Sequence, residues 1–197
     1  MPDSQLPDND TTNAGVGDPV SDLAASRIHS LIRDIPDYPT PGVMFKDITP
    51  LLADAAAFSD VIDWFAAPYR AHSRPIDVVV GIEARGFILA APIAIALGAG
   101  FVPVRKNGKL PHVTVGAAYA LEYGTAQIEL HVDGITAGQR VLVVDDVLAT
   151  GGTAEAACSL VEQVGGQVAG VDFLLELSFL GGRSKLEGHP IRALVTF

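Results

Sequence analysis

Asp145 and Asp146 stand directly after an apolar run, Val141 to Val144, and just before Ala149-Thr150-Gly151-Gly152-Thr153. A strand that turns through such a segment into a helix aims several backbone N–H groups at one point. The helix dipole adds partial positive charge there, which suits a phosphate monoester. The Thr150 and Thr153 hydroxyls are further donors. No lysine follows the glycines, so this is not a nucleotide-triphosphate P-loop, and the spacing is not that of a dinucleotide fingerprint. Carboxylates do not help hold phosphate, but they accept hydrogen bonds from sugar hydroxyls and can hold a hydrated magnesium ion. Acids at a strand end followed by a phosphate nest therefore suit a ribose 5-phosphate. The plainer alternative, two aspartates capping a turn, leaves acids beside a buried strand with nothing to offset their desolvation.

These residues need a frame that brings them together. Short β-branched or apolar runs at 77–81, 100–104, 140–145 and 170–177 read as strands. Longer apolar stretches at 86–98 and 153–164 read as helices between them. This alternation predicts an α/β fold with a central, mainly parallel sheet flanked by helices, whose ligands lie at the carboxyl ends of the strands. A helix is expected from Ser21, as its cap, through Ile35, and another over about 54–69. The prolines of the 36–50 segment argue against a regular element there, although it carries Tyr38, Val43, Met44 and Phe45. Residues 105 to about 132 break the rhythm. Arg105-Lys106-Asn107-Gly108-Lys109 is basic in an acidic chain, and 117–133 alternates apolar and polar about Gly124-Thr125, the pattern of a hairpin flap.

The chain has 197 residues, is 49% hydrophobic and carries a formal charge of −10. One domain over 21–197 is expected, preceded by a polar, acidic tail at 1–20 that cannot bury enough surface to order itself. The charge argues against nucleic acid and membrane surfaces as partners. No run is long enough to span a bilayer, no signal peptide is expected, and a single cysteine, Cys158, fits a cytoplasmic setting. Cys158 reads as packing, and Trp64 as core or interface. The five histidines show no metal-ligand spacing; of these, His131 lies nearest the flap.

The stretch from Val141 to Thr153 resembles the sugar-pyrophosphate motif of the type I phosphoribosyltransferases. Residues 37–50, 81–87, 103–111 and 119–131 narrow the resemblance to the adenine branch of that family, over about 21–197. The resemblance implies the type I fold with a small hood and a flexible hairpin flap. It implies transfer of a phosphoribosyl group from 5-phosphoribosyl 1-pyrophosphate to adenine, giving AMP and pyrophosphate in purine salvage, with magnesium as cofactor held mainly by substrate and water. It also implies a homodimer.

By the same resemblance, Ala149, Thr150, Gly151, Gly152 and Thr153 hold the 5-phosphate, and Asp145 and Asp146 face the ribose. Glu83, Ala84, Arg85 and Gly86 wrap the pyrophosphate through a turn expected to contain a cis peptide at Glu83–Ala84. Arg105, Lys106 and Lys109 supply positive charge, with Arg105 reaching across the dimer. Met44, Phe45, Lys46 and Val147 form the adenine slot, with Phe45 and Val147 on its two faces. Lys46 stands where many members carry arginine, which loses a planar fork. Glu122 on the flap is the candidate acid/base, and Tyr123 either aligns it or touches the phosphate side. The rival readings are a phosphoribosyltransferase for another purine, and a non-catalytic sensor of the activated sugar. A sensor of that kind would need a nucleic-acid domain or a basic face.

Overall fold

The structure, a computed structural model, describes residues 22–120 and 125–197. The expected tail, the Ser21 cap and the hairpin tip carrying Glu122 and Tyr123 lie outside the described residues. In chain order the elements are α1 (Asp22–Ser30), β1 (Arg33–Ile35), β2 (Phe45–Asp47), α2 (Thr49–Ala53), α3 (Ala55–Arg70), β3 (Val78–Ile82), α4 (Gly86–Leu97) and β4 (Gly100–Lys106). There follow β5 (Thr114–Ala120), β6 (Thr125–His131), β7 (Arg140–Leu148), α5 (Gly152–Gln163), β8 (Gln167–Glu176), two short 3₁₀ turns (Ser178–Leu180 and Gly182–Leu186) and β9 (Ile191–Thr196).

Seven strands form one sheet in the order β5-β6-β4-β3-β7-β8-β9. The five from β4 to β9 are parallel, and the β5–β6 hairpin joins β4 antiparallel through Arg105↔Glu129 and Lys106↔Ile128. The chain moves from β3 to β4 in one direction and from β7 to β8 in the other, so the order reverses between β3 and β7. Crevices at such a reversal are where open α/β sheets take ligands.

Strand alternation sorts the core into two layers. Val78, Val80, Ile82, Val141 and Val143 face the layer that contains Ala157, Leu160 and Val161 of α5. Val79, Leu142 and Val144 face the layer built from α1, α3 and α4, through Ile28, Val61, Phe65, Leu89 and Ile93. The phase then slips: Val144 and Val147 both face the second layer, and Leu148 the first. Asp145 and Asp146 occupy that slip. Among the described residues no helix is long and apolar enough to cross a membrane.

Three local expectations are corrected. The helix expected through Ile35 ends at Ser30, and Ile35 pairs with Phe45 in a small β1–β2 sheet. Pro36 follows Ile35, and a residue before proline is pushed to extended backbone. The proline-rich segment does hold regular structure, β2 and α2, because Pro50 sits in the first turn of α2, where no N–H is missed. Finally, β7 runs on to Leu148 rather than ending at Asp145. The β8 strand is also long, and Val147 and Leu148 find ladder partners in Leu175 and Glu176.

Candidate active site

Two turns leave the neighbouring central strands. After β7 the chain passes Ala149, Thr150 and Gly151 and enters α5. Gly151 has φ +82°, a backbone that glycine adopts without penalty, and its carbonyl accepts the Glu155 N–H at 2.9 Å. The turn lines a small cavity of about 70 Å³ with Asp145, Thr150, Gly152 and Thr153. A wider cleft of about 380 Å³ lies between β5 and α5, lined by Tyr119, Glu155 and Ser159, and shares Gly152 with it. The anion nest thus opens beneath the hairpin.

Asp145 lines the smaller cavity, and Asp146 follows it in the chain. Asp146 is 5% exposed. Its Oδ2 lies 2.7 Å from Arg85 Nε, but the contact does not have hydrogen-bond geometry, and this oxygen has no hydrogen-bond partner. Asp145 Oδ1 accepts the Asp146 N–H at 2.9 Å. Burial and then the adjacent Asp146 carboxylate push Asp145 well above the ordinary carboxyl range. Asp146 is also raised, by burial, with Arg85 pulling the other way. Burial and a like charge next door thus both disfavour two full charges at this spot.

After β3, the Glu83–Ala84 peptide is cis, as expected. Gly86 is required at the start of α4, since a Cβ there would stand 2.9 Å from both Asp145 Oδ1 and the Val144 carbonyl. This close approach joins the two turns. Arg85 links them further, with its guanidinium 4.9 Å from the Phe45 ring centroid while Nε meets Asp146. Phe45, Arg85 and Asp146 are therefore brought together, with Val147 next in chain and Met44 47% exposed beside Phe45.

Lys46 is placed otherwise than the sequence reading had it, and Glu83 and Arg105 make side-chain contacts that the reading did not name. The Lys46 ammonium lies 2.7 Å from Asp34 and 3.7 Å from the Phe197 ring centroid, because β2 alternation turns it away from the Phe45 face. The Glu83 carboxylate is directed at the basic turn, accepting the Lys106 N–H at 2.9 Å and Arg105 at 3.4 Å. Arg105 in turn donates to the Lys109 carbonyl at 3.1 Å, so within this chain its guanidinium staples its own turn. Lys106 and Lys109 are exposed. Glu83 sits in a field of donors; burial opposes them, but the Lys106 N–H and Arg105 hold its carboxyl below the ordinary range.

Glu129 was not singled out from the sequence. It is 5% exposed, and its Oε1 accepts the Lys109 and Leu110 N–H groups at 3.0 Å each, while Oε2 accepts the Thr114 hydroxyl at 3.3 Å. The signal was present: an acid between Ile128 and Leu130 in a hairpin strand that follows a basic turn. The Gly182-Arg183 turn behind the phosphate loop was missed as well.

A model of the phosphoribosyl transferase domain matches residues 48–176. The chain is 62% identical over 164 residues to the adenine phosphoribosyltransferase of Acidothermus cellulolyticus, covering 83% of this chain and 92% of that one. The chain belongs to the adenine phosphoribosyltransferases. Solved adenine phosphoribosyltransferases superpose on it closely. The crystal structure from Thermoanaerobacter pseudethanolicus is 50% identical with a TM-score of 0.83, covering 88% of this chain and 99% of that one. The enzyme from Trypanosoma brucei, in complex with AMP, pyrophosphate and ribose-5-phosphate, is 25% identical with a TM-score of 0.83, covering 89% and 80%.

Proposed function

We propose that the two turns at the sheet reversal carry out the adenine phosphoribosyltransferase reaction, with the sugar held between them. The activity is that of the family: adenine and 5-phosphoribosyl 1-pyrophosphate give AMP and pyrophosphate in purine salvage. The observation that carries the residue assignment is the Asp145–Asp146 pair at the end of β7, with Asp146 buried and Asp145 lining the cavity formed by Ala149 to Thr153. Ala149 to Thr153 take the 5-phosphate through backbone N–H groups and hydroxyls. Asp145 and Asp146 accept the ribose hydroxyls. Arg85, Lys106 and Lys109 meet the pyrophosphate, with Glu83 and Arg105 shaping the turn that presents the lysines. Phe45 and Val147 flank the adenine ring, and Met44 main-chain groups read its edge.

As the bond from C1 to pyrophosphate breaks, positive charge develops on the sugar ring, as in glycoside hydrolysis. The cationic side chains then act on the leaving group, where charge grows. Adenine attacks through an imidazole-ring nitrogen while Glu122 takes the proton that this ring gives up, a role typically worth ~10²–10⁴ in rate. The hairpin excludes water from the cationic ring. Among the described residues no cluster of three or more ligating side chains forms a protein cage for a metal. The Asp145–Asp146 pair nevertheless fits magnesium as a partner through water, since the ion keeps waters and substrate oxygens and needs few protein ligands. Magnesium would supply charge neutralisation at the pyrophosphate, with Asp145 and Asp146 as its partners on the protein. A second copy of the chain is proposed to cover the apolar face formed by Ile88, Ile95 and Phe101, which are 43%, 83% and 39% exposed. A cytoplasmic setting, as the family implies, belongs to the same proposal.

The test is pyrophosphate release on mixing the protein with the activated sugar, magnesium and one base at a time. Adenine should support release and hypoxanthine should not, and the Glu122→Ala variant should turn over at least about 100-fold more slowly. Release with hypoxanthine but not adenine would refute the base assignment, and undiminished turnover in the variant would remove Glu122 from the mechanism.

A further inference from the structure

Thirty residues after the phosphate loop, a 3₁₀ turn comes back to lie against it. The approach is backbone to backbone. A Cβ on Gly151 would collide with the Gly182 carbonyl oxygen. A Cβ on Gly182 would collide with the Ala149 carbonyl oxygen, and would stand 2.9 Å from Leu148 Cδ1 and 3.0 Å from the Gly151 nitrogen. The Gly151 backbone already asks for glycine through its φ of +82°. Gly182 is not in the left-handed region, so at that position space alone excludes a side chain.

The turn is fastened at three points. The Arg183 guanidinium grips the Glu176 carboxylate, with Nε 2.9 Å from each oxygen and Nη2 2.8 Å from Oε2. Glu176 is 6% exposed and pairs across the ladder with Leu148, the last residue of β7 before the loop. Arg183 Nη1 also donates to the Ile191 carbonyl of β9 at 3.3 Å. At the far end of the turn, Leu186 is fully buried in the layer that holds α5. A fork of this kind is directional, and a buried carboxylate locks it further.

We propose that Gly182 and Arg183 are positioning residues for the 5-phosphate: the Gly182 backbone braces the underside of Ala149 to Gly151, and the Arg183–Glu176 pair holds that brace in place. A nest of N–H groups binds an anion only while the groups converge, and errors on the order of 1 Å are enough to lose the benefit. The brace comes from outside the 48–176 segment that matches the domain model, so the anion site of this chain depends on residues beyond that segment. The inference rests on the reading that Ala149 to Thr153 hold the 5-phosphate.

The test compares AMP with adenosine, which differ only by that phosphate, in calorimetric titrations of the full chain. Thr153→Val, within the loop, checks the underlying reading and should reduce the preference for AMP. Gly182→Ala and Arg183→Met should each reduce it by about tenfold or more, the effect of losing one charge-assisted hydrogen bond, with adenosine affinity unchanged within about twofold. If Thr153→Val loses the preference while Gly182→Ala and Arg183→Met keep it, the brace is refuted and the loop assignment stands. If all three keep it, the loop assignment itself fails. An equal loss of AMP and adenosine affinity in the two brace variants also overturns the proposal, since it marks general damage. Should Gly182→Ala not fold, Arg183→Met, which adds no atom against the loop, decides by the same ratio.

Discussion

Glu129→Gln probes how the basic turn is held. In the wild type one carboxylate oxygen takes two backbone N–H groups at 3.0 Å, and the other takes the Thr114 hydroxyl at 3.3 Å. Glutamine keeps this geometry: its carbonyl oxygen can serve both N–H groups, and its amide can donate to the Thr114 oxygen. Only the charge is lost. Hydrogen bonds to a charged group contribute about 1.5–3 kcal/mol against 0.5–1.5 for neutral ones, so two weakened bonds remove about 2 kcal/mol from the ordered turn. That is about 30-fold in the equilibrium between ordered and loosened turn.

Because Lys106 and Lys109 ride on this turn, the KM for the activated sugar should rise by about 3- to 30-fold, the upper figure applying if binding requires the ordered turn throughout. The KM for adenine should be unchanged, and kcat should move less than about threefold. Burial works to raise the Glu129 carboxyl, but the N–H donors of Leu110, Gly108 and Lys109 outweigh it and hold it below the ordinary value. A depressed folded value means the contribution is present above the unfolded value and is lost only as pH falls through the folded one. The ratio between variant and wild type should therefore be flat from about pH 5 to 8. Steady-state kinetics in both substrates give the answer. An unchanged KM for the sugar, or an equal rise in both KM values, would refute the claim that the charge on Glu129 orders the turn.

Two further outcomes follow from buried acids whose folded values are raised. Such a group holds its proton in the folded chain to a higher pH, so it costs stability as pH climbs from the unfolded value to the folded one. Asp145→Asn should therefore raise the melting temperature at neutral pH while weakening binding of the activated sugar; a melting temperature that fails to rise would mean the pair is not strained by its own charge. Asp172 is fully buried, accepts from Tyr69 at 3.1 Å and Arg192 at 3.1 Å, and burial pushes it up to about 7 despite Arg192 and Tyr69. Asp172→Asn should flatten the fall in melting temperature between about pH 4 and 7, and an identical slope in the variant would count against a proton on Asp172.

The sheet and the turn from Ala149 to Thr153 were legible because their signals are local. Apolar β-branched runs announce strands, and Thr150-Gly151-Gly152-Thr153 after such a run announces a nest. Ile35 misled because its helical spacing is real, yet Pro36 acts on the backbone more strongly than one apolar contact does. The reach of β7 past Asp145 depended on the length of a partner strand 20 to 30 residues away, which no window around Asp145 contains. Lys46 was assigned by position along the chain, but a strand alternates faces, and its side chain went to Asp34 and Phe197. Glu83, Glu129 and Gly182 act on residues distant in sequence, through hydrogen bonds or backbone approach, and neither leaves a periodicity to read. Glu122 rests on the family resemblance, since a lone glutamate in a hairpin has no spacing of its own to mark it.

The contact between Arg85 and Asp146 gives the enzyme a resident counter-ion. Drawing the guanidinium off leaves a buried carboxylate without its partner, a loss softened because the arginine is itself a third exposed to water. Under the assignment proposed above, a solute that carries both a diphosphate and a neighbouring hydroxyl offsets that loss at both ends, at the arginine and at the aspartate. On that proposal one ion pair favours ligands by the company their charges keep, before any base has entered.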